Sequence, residues 1–146
     1  MALNLGAKLA WYGHSTFLIR TDAGADVLLD PWIWKPDRPA GAMNNPKCPE
    51  GFQPIEKLDA ILLTHGHFDH IADTVDVFER YRPAAVVCNW EIGEWLKKQG
   101  LPEAAVLQMN KGGTAEVAGM SVTMVHAFHS SGIADGDRIV YGGEPA

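Results

Sequence analysis

Apolar residues alternate with polar ones, or run together for three to five positions, at regular intervals along this 146-residue chain. Residues 8–12, 16–21 and 27–29 do so with Asp22-Ala23-Gly24 between the last two, and predict an antiparallel meander joined by a turn. Residues 60–63, 85–88, 105–109, 114–117, 121–125 and 138–141 predict further strands. Two segments carry a helical period instead. Ile71, Val75 and Phe78 fall on one face of a helix predicted over 71–81 and stopped by Pro83. A second helix starts at Asn89, a residue suited to the N-cap. Its acidic Glu91 and Glu94 precede Lys97 and Lys98, the order the helix dipole favours, and Gly100 and Pro102 end it. Ile92, Trp95 and Leu96 form its buried stripe. Strand, helix, strand, helix and strand in the middle, with hairpins on either side, predict a layered α/β domain spanning 1–146.

One segment breaks the rhythm. Residues 31–54 hold six of the nine prolines together with Trp32, Trp34 and the turn-forming Asn44-Asn45-Pro46. Long irregular loops inside compact domains are commonly functional, and the two tryptophans favour a lid or a packed loop over a linker. A proline-rich lid over 31–57, with Trp32 and Trp34 lining a substrate site, is the expectation.

Composition narrows the class. Apolar residues make up 47% and charged residues 21%, ordinary for a soluble globular domain. A chain of this length buries roughly 70% of its unfolded surface, which excludes disorder for most of it. Twelve Lys and Arg against 18 Asp and Glu leave a net charge of −6, against a nucleic-acid or anionic-membrane partner. No run approaches the ~20 apolar residues of a membrane helix, and residues 1–12 lack the pattern of a secretory signal. A cytoplasmic protein with a small-molecule substrate is expected. Cys48 and Cys88 stand forty residues apart and form no Cys-x-x-Cys pair. Cys88 reads as core and Cys48 as a loop thiol, with no disulfide between them.

The chemistry concentrates in Thr64-His65-Gly66-His67-Phe68-Asp69-His70, directly after a predicted strand. His65, His67, Asp69 and His70 offer four metal-ligand side chains within six residues, and imidazole with carboxylate suits zinc. A merely His-rich turn is the plain alternative. Yet the chain has six histidines, and the other three, His14, His126 and His129, also stand at the ends of strand-like runs. One converging site accounts for that distribution.

This motif resembles the His-x-His-x-Asp-His signature of the metallo-β-lactamase superfamily. Trp11-Tyr12-Gly13-His14-Ser15 with Phe17, Leu29-Asp30-Pro31-Trp32, and Ile61-Leu62-Leu63-Thr64 extend the resemblance. So do Asp73-Thr74-Val75, Met109-Asn110-Lys111-Gly112-Gly113-Thr114, Ala127-Phe128-His129-Ser130-Ser131 and Gly142-Gly143-Glu144-Pro145-Ala146. Together they are similar to a subgroup of small bacterial and archaeal metal-dependent hydrolases related to ascorbate-phosphate lactonases. The resemblance implies an αββα sandwich with one or two zinc ions, or manganese or iron, between the edges of its sheets. It implies His65, His67 and His129 on the first ion and Asp69 and His70 on the second, with His126 the competitor of His129. It places His14 beside the metals, in a catalytic or substrate-contacting role or bonding a loop carbonyl. Asp30 orients a ligand histidine from behind or merely initiates a turn.

Family members continue past the pattern at which this chain stops, with an acidic residue bridging the metals and a last histidine. The resemblance therefore implies a C-terminally truncated sandwich, its second half incomplete, whose uncovered sheet makes a homo-oligomer an open expectation. The implied activity is metal-dependent hydrolysis of an ester, lactone or phosphoester by a metal-bound hydroxide, with Asp69 holding or deprotonating the nucleophile. A non-catalytic zinc-binding fragment and a tRNA-processing nuclease of the same fold are the alternatives. A di-iron oxidoreductase is disfavoured by His67, where such proteins carry Glu.

Overall fold

The computed structural model of the chain describes residues 6–38, 44–48, 55–135 and 138–140. Strands β1 (Ala7–Trp11), β2 (Phe17–Thr21) and β3 (Asp26–Leu29) form the antiparallel meander that the alternation predicts. Strands β4 (Ala60–Leu62), β5 (Ala85–Asn89) and β6 (Val106–Met109) extend it in parallel, giving one sheet in the order β1-β2-β3-β4-β5-β6. Two hairpins follow: β7 (Thr114–Val117) with β8 (Met120–Thr123), and β9 (Ile133–Asp135) with β10 (Arg138–Val140).

Pleating sends alternate side chains of the sheet to opposite faces. Leu28, Ile61, Val86 and Cys88 pack with Val77 and Phe78 of helix α2 (Thr74–Tyr81) and with Ile92 and Leu96 of helix α3 (Trp90–Lys98). Val27, Ala60 and Val87 pack instead against Val117 and its hairpin neighbours Ala115, Met120 and Val122. Helices, sheet and hairpin thus make the α, β and β layers of the expected sandwich. Across the register, Leu9 opposes Ile19 and Ile19 opposes Val27, so Leu9 and Trp11 share the hairpin face. They stay 61% and 58% exposed.

The structure corrects several expectations. The helix expected over 71–81 is two pieces, a short α1 (Phe68–Ile71) and then α2. Asp73 breaks it: its backbone leaves helical geometry at φ −106° and ψ 8°, its N–H donates to Pro31 O (3.0 Å), and its carboxylate accepts from Ile33 N (2.7 Å). Cys48 lies in a loop but is buried, and burial raises its thiol pKa. Both cysteines are free, as expected. Strand β9 was not foreseen; residues 136 and 137, between it and β10, lie outside the described residues. So do 39–43 and 49–54 of the expected lid, and 142–146. The described parts of the proline-rich segment are packed: Asn45 is fully buried and donates to Trp32 O (2.8 Å) and Tyr12 O (3.3 Å). Among the described residues no helix is long and apolar enough to cross a membrane.

Asp73 has no exposed side-chain surface and pairs with Lys35 Nζ (2.8 Å) and with Arg38. Removing the carboxylate takes from Arg38 and Lys35 a fully buried partner, although Lys35 keeps Asp76, and takes from Ile33 N its acceptor. Asp73→Ala is expected to lower unfolding free energy by about 3 kcal/mol, measured by urea denaturation; a loss below about 1 kcal/mol would show that these contacts do not tie the segment to α2.

Candidate metal centre

The site forms where strands of one direction end. β1, β3, β4 and β5 run parallel in the sheet; past the C-terminal ends of the first three come His14, Asp30 and the motif 64–70, and Asn89 is the last residue of β5. Loops at the carboxyl ends of parallel strands are where such sheets bind ligands.

Asp30 organises the motif from beneath. It is fully buried. Its Oδ1 accepts from Thr64 N (2.8 Å), and its Oδ2 accepts from Thr64 Oγ1 (2.7 Å) and from His70 Nδ1 (2.7 Å). A carboxylate oxygen only accepts, so His70 carries its proton on Nδ1 and directs the lone pair of Nε2 outward. Thr64 Oγ1, having donated to Asp30, accepts from His65 Nδ1 at 3.0 Å, which turns His65 Nε2 outward as well. Ser130 Oγ lies 3.1 Å from His67 Nε2 and leaves His67 Nδ1 facing His65 Nε2 at 3.0 Å.

Two donor sets result. Ligand atoms of His65, His67 and His129 lie within 4.8 Å of one another, and so do those of His14, Asp69 and His70. Bonds of 2.0–2.1 Å to a tetrahedral zinc place neighbouring ligand atoms about 3.3 Å apart. The nitrogen pair of His65 and His67 is close to that spacing, and the donors are the imidazoles and carboxylate that zinc takes. The residues therefore fit the metal that the motif implies. The sets adjoin, since the His65 and His70 rings are 3.9 Å apart between centroids. His65 is poised for the ion: burial, with the neighbouring His70 and His67 adding, lowers its pKa to about 4 and leaves the imidazole neutral at pH 7.

His129 reaches the site from the loop after β8, its ring 4.8 Å from those of both His65 and His67. His126 does not join either set; it is exposed beside Phe128, with Lys111 Nζ 3.4 Å away. Trp32 is almost buried, with its ring edge-on to His14 (5.4 Å) and Phe68 (6.4 Å). Trp34 lines a different cavity of about 430 Å³ between Ile33, Ile55 and Tyr81.

Three features escaped sequence reading. Thr64 links Asp30 to His65, a role that needs the folded hydrogen bonds to be seen. Ser130 and Ser131 hold His67 and the loop, since Ser131 Oγ also accepts from Gly66 N (3.1 Å) and Asn89 Nδ2 (3.3 Å). Gly66 is required for space rather than for a tight bend: a Cβ there would meet Ile133 Cγ1 at 2.7 Å and Ser131 O at 2.8 Å.

A model of the β-lactamase superfamily domain matches residues 22–142. A metal-dependent hydrolase of the UPF0173 family from Koribacter versatilis is 49% identical over 139 residues, covering 95% of this chain and 54% of that protein. A UPF0173 metal-dependent hydrolase from Rubrobacter xylanophilus is 41% identical over 141 residues, covering 96% and 53%. The chain thus spans about half the length of the curated relatives it matches. Among solved structures, Igni18, a metallo hydrolase from the archaeon Ignicoccus hospitalis, superposes with a TM-score of 0.65 at 28% identity, covering 86% of this chain and 50% of that one. CmlA, a diiron β-hydroxylase from Streptomyces venezuelae, shares the fold at a TM-score of 0.55 and 24% identity, covering 76% and 22%.

Gly66→Ala is expected to push the 131–133 segment away and, with it, His129; zinc affinity measured by competition with a chromophoric chelator should fall by at least about tenfold, the scale of losing an outer support. Unchanged affinity would mean that the contact is slack.

The pKa of His65 also fixes a pH dependence. Between its ordinary value of 6.5 and about 4, the unfolded chain binds a proton there that the folded chain does not. Stability of the metal-free chain therefore falls as pH drops through that window. Thermal melts at pH 7 and pH 5 should show a larger fall in Tm for the native chain than for His65→Gln; parallel falls would exclude His65 as the cause.

Proposed function

The chain belongs to the β-lactamase superfamily, and from that premise we propose that it carries the metal centre of a zinc-dependent hydrolase acting on an ester, lactone or phosphoester bond of a small molecule. The observation that supports this most is the pair of adjoining donor sets, supported from behind by one buried carboxylate. An ion held there would supply Lewis acidity for hydrolysis at neutral pH.

The chain's own residues do the rest. His65, His67 and His129 would hold one ion, and Asp69 and His70 would contribute to a second. Asp30 and Thr64 fix the two rings so that their lone pairs need no reorganisation when an ion or substrate arrives. Asp69, with 37% of its side chain exposed, stands at the open side and accepts the proton of the attacking water. Exposed Phe68 adjoins His67 in sequence and offers an apolar rim. Trp32 supports the rim through Phe68 and braces the His14 ring. That arrangement suits a substrate with an aryl or other apolar group beside the scissile bond.

The test is turnover of an aryl ester, a lactone and an aryl phosphodiester by the zinc-loaded chain. At least one is expected to be hydrolysed, with activity removed by a chelator and restored by zinc. Asp69→Asn should lower kcat by about 10²–10⁴-fold. Zinc binding without turnover on all three would overturn the hydrolase reading in favour of a zinc-binding module.

A further inference from the structure

His14 lies in the turn between β1 and β2, and its backbone is left-handed at φ +49°. For a residue with a Cβ that conformation is strained and persists only where surroundings enforce it. Here they do. Tyr12 N donates to Thr16 O (2.9 Å), Thr16 N to Gly13 O (3.0 Å), and Trp11 Nε1 to His14 O itself (3.0 Å). Gly13 packs so closely on the proline-rich segment that a Cβ would meet Lys47 Cβ at 2.6 Å. Trp32 closes against the imidazole edge. The fold thus spends strain and several contacts on aiming one ring.

The ring is aimed at two ligand atoms. His14 Nε2 lies 3.2 Å from His70 Nε2 and 2.9 Å from Asp69 Oδ2. Both distances are close to the ~3.3 Å edge of a tetrahedron with 2.0–2.1 Å bonds. Because His70 donates its Nδ1 proton to Asp30, its Nε2 offers a lone pair toward His14. Two nitrogens and a carboxylate oxygen then face one point.

We propose that His14 is a ligand of a second metal ion, together with Asp69 and His70, so that this chain holds two metal positions with its own residues. The proposal rests on the metal-binding reading of the site. It gives His14 a different role from substrate contact. An ordinary His14–Asp69 ion pair would account for less: with the two side chains 40% and 37% exposed, such a pair is screened by solvent and adds little. It also leaves the approach of the His70 nitrogen without a purpose. The same exposure leaves the fourth corner of the site open to solvent, as catalytic zinc sites require.

Metal content separates the readings without any substrate. The full chain, saturated with zinc and freed of excess, is weighed by native mass spectrometry beside His14→Ala, His14→Gln and His65→Ala. Glutamine can still donate to Asp69 but is a poor zinc ligand. Two ions in the native chain and one in both His14 variants are expected, and the retained ion shows that the variants fold. Cobalt(II) titration should show the same loss, as a missing second equivalent of visible absorption. Two ions in either His14 variant would overturn the proposal, as would one ion in the native chain. No ion in the native chain would overturn the metal-binding reading itself, and this proposal with it. An ion retained by the native chain and lost from His65→Ala, with no second ion anywhere, would leave the metal-binding reading standing while His14 is excluded as a ligand.

Discussion

A single buried carboxylate sets the positions of the metal-facing groups. Taking an ionised carboxylate out of water costs several kcal/mol unless every oxygen finds a donor, and Asp30 is fully enclosed. It finds three: the Thr64 backbone, the Thr64 hydroxyl and the His70 ring. None can leave without exposing the other two to an unpaired charge. The start of the motif and the histidine six residues later are therefore held to one point. The backbone is held too. Asp30 itself is left-handed at φ +46°, an unusual state for a residue before proline. Thr16 Oγ1 stabilises that turn by donating to Asp30 O at 2.7 Å, and Asp30 N is tied to Leu62 O at 2.9 Å.

The strand order explains why one carboxylate can reach so far. β3 and β4 are parallel neighbours with Leu29 opposite Leu62, so the residues that follow them leave the sheet side by side. Asp30 and Thr64 are adjacent for that reason alone. β5 continues the edge and delivers Asn89, which caps α3 through Ile92 N (2.9 Å) and also donates to Ser131 Oγ. The loop that brings His129 is thus joined to the sheet through a residue whose first duty is to start a helix. Apolar packing on both faces of the sheet fixes the register, because a slip of one residue would exchange the helix-facing and hairpin-facing sets.

Much of this was legible in the residues. Period-two and period-3.6 patterns identified most of the strands and α3, and six histidines gathered at element ends marked a converging site. What remained hidden depends on contacts distant in sequence. Nothing near Asp73 says that its side chain will turn from its own helix to the backbone of Ile33, so the helix looked continuous. Cys48 sits among polar and turn-forming residues, and only the packing of the proline-rich segment buries it. Nothing beside Gly66 says that the space it leaves is occupied by residues 131 to 133, some 65 positions downstream. The competition between His126 and His129 could not be decided from spacing, because three residues at the end of a strand can turn either way.

The supports of the site are graded from rigid to loose, and that grading has a physical sense. His65 and His70 are backed by the buried carboxylate, directly or through Thr64, and lie closest to the sheet. His67 relies on a serine hydroxyl, and His129 comes from an exposed loop beside the fully exposed Phe128. An ion entering either donor set meets one inner histidine already oriented, so little ordering free energy is spent on it. The remaining cost falls on the outer loop, and the metal–ligand bond that captures His129 offsets it. That cost is limited, because Ser130 on His67 and Ser131 on Gly66 and Asn89 already hold the loop with the His129 ring beside the other two.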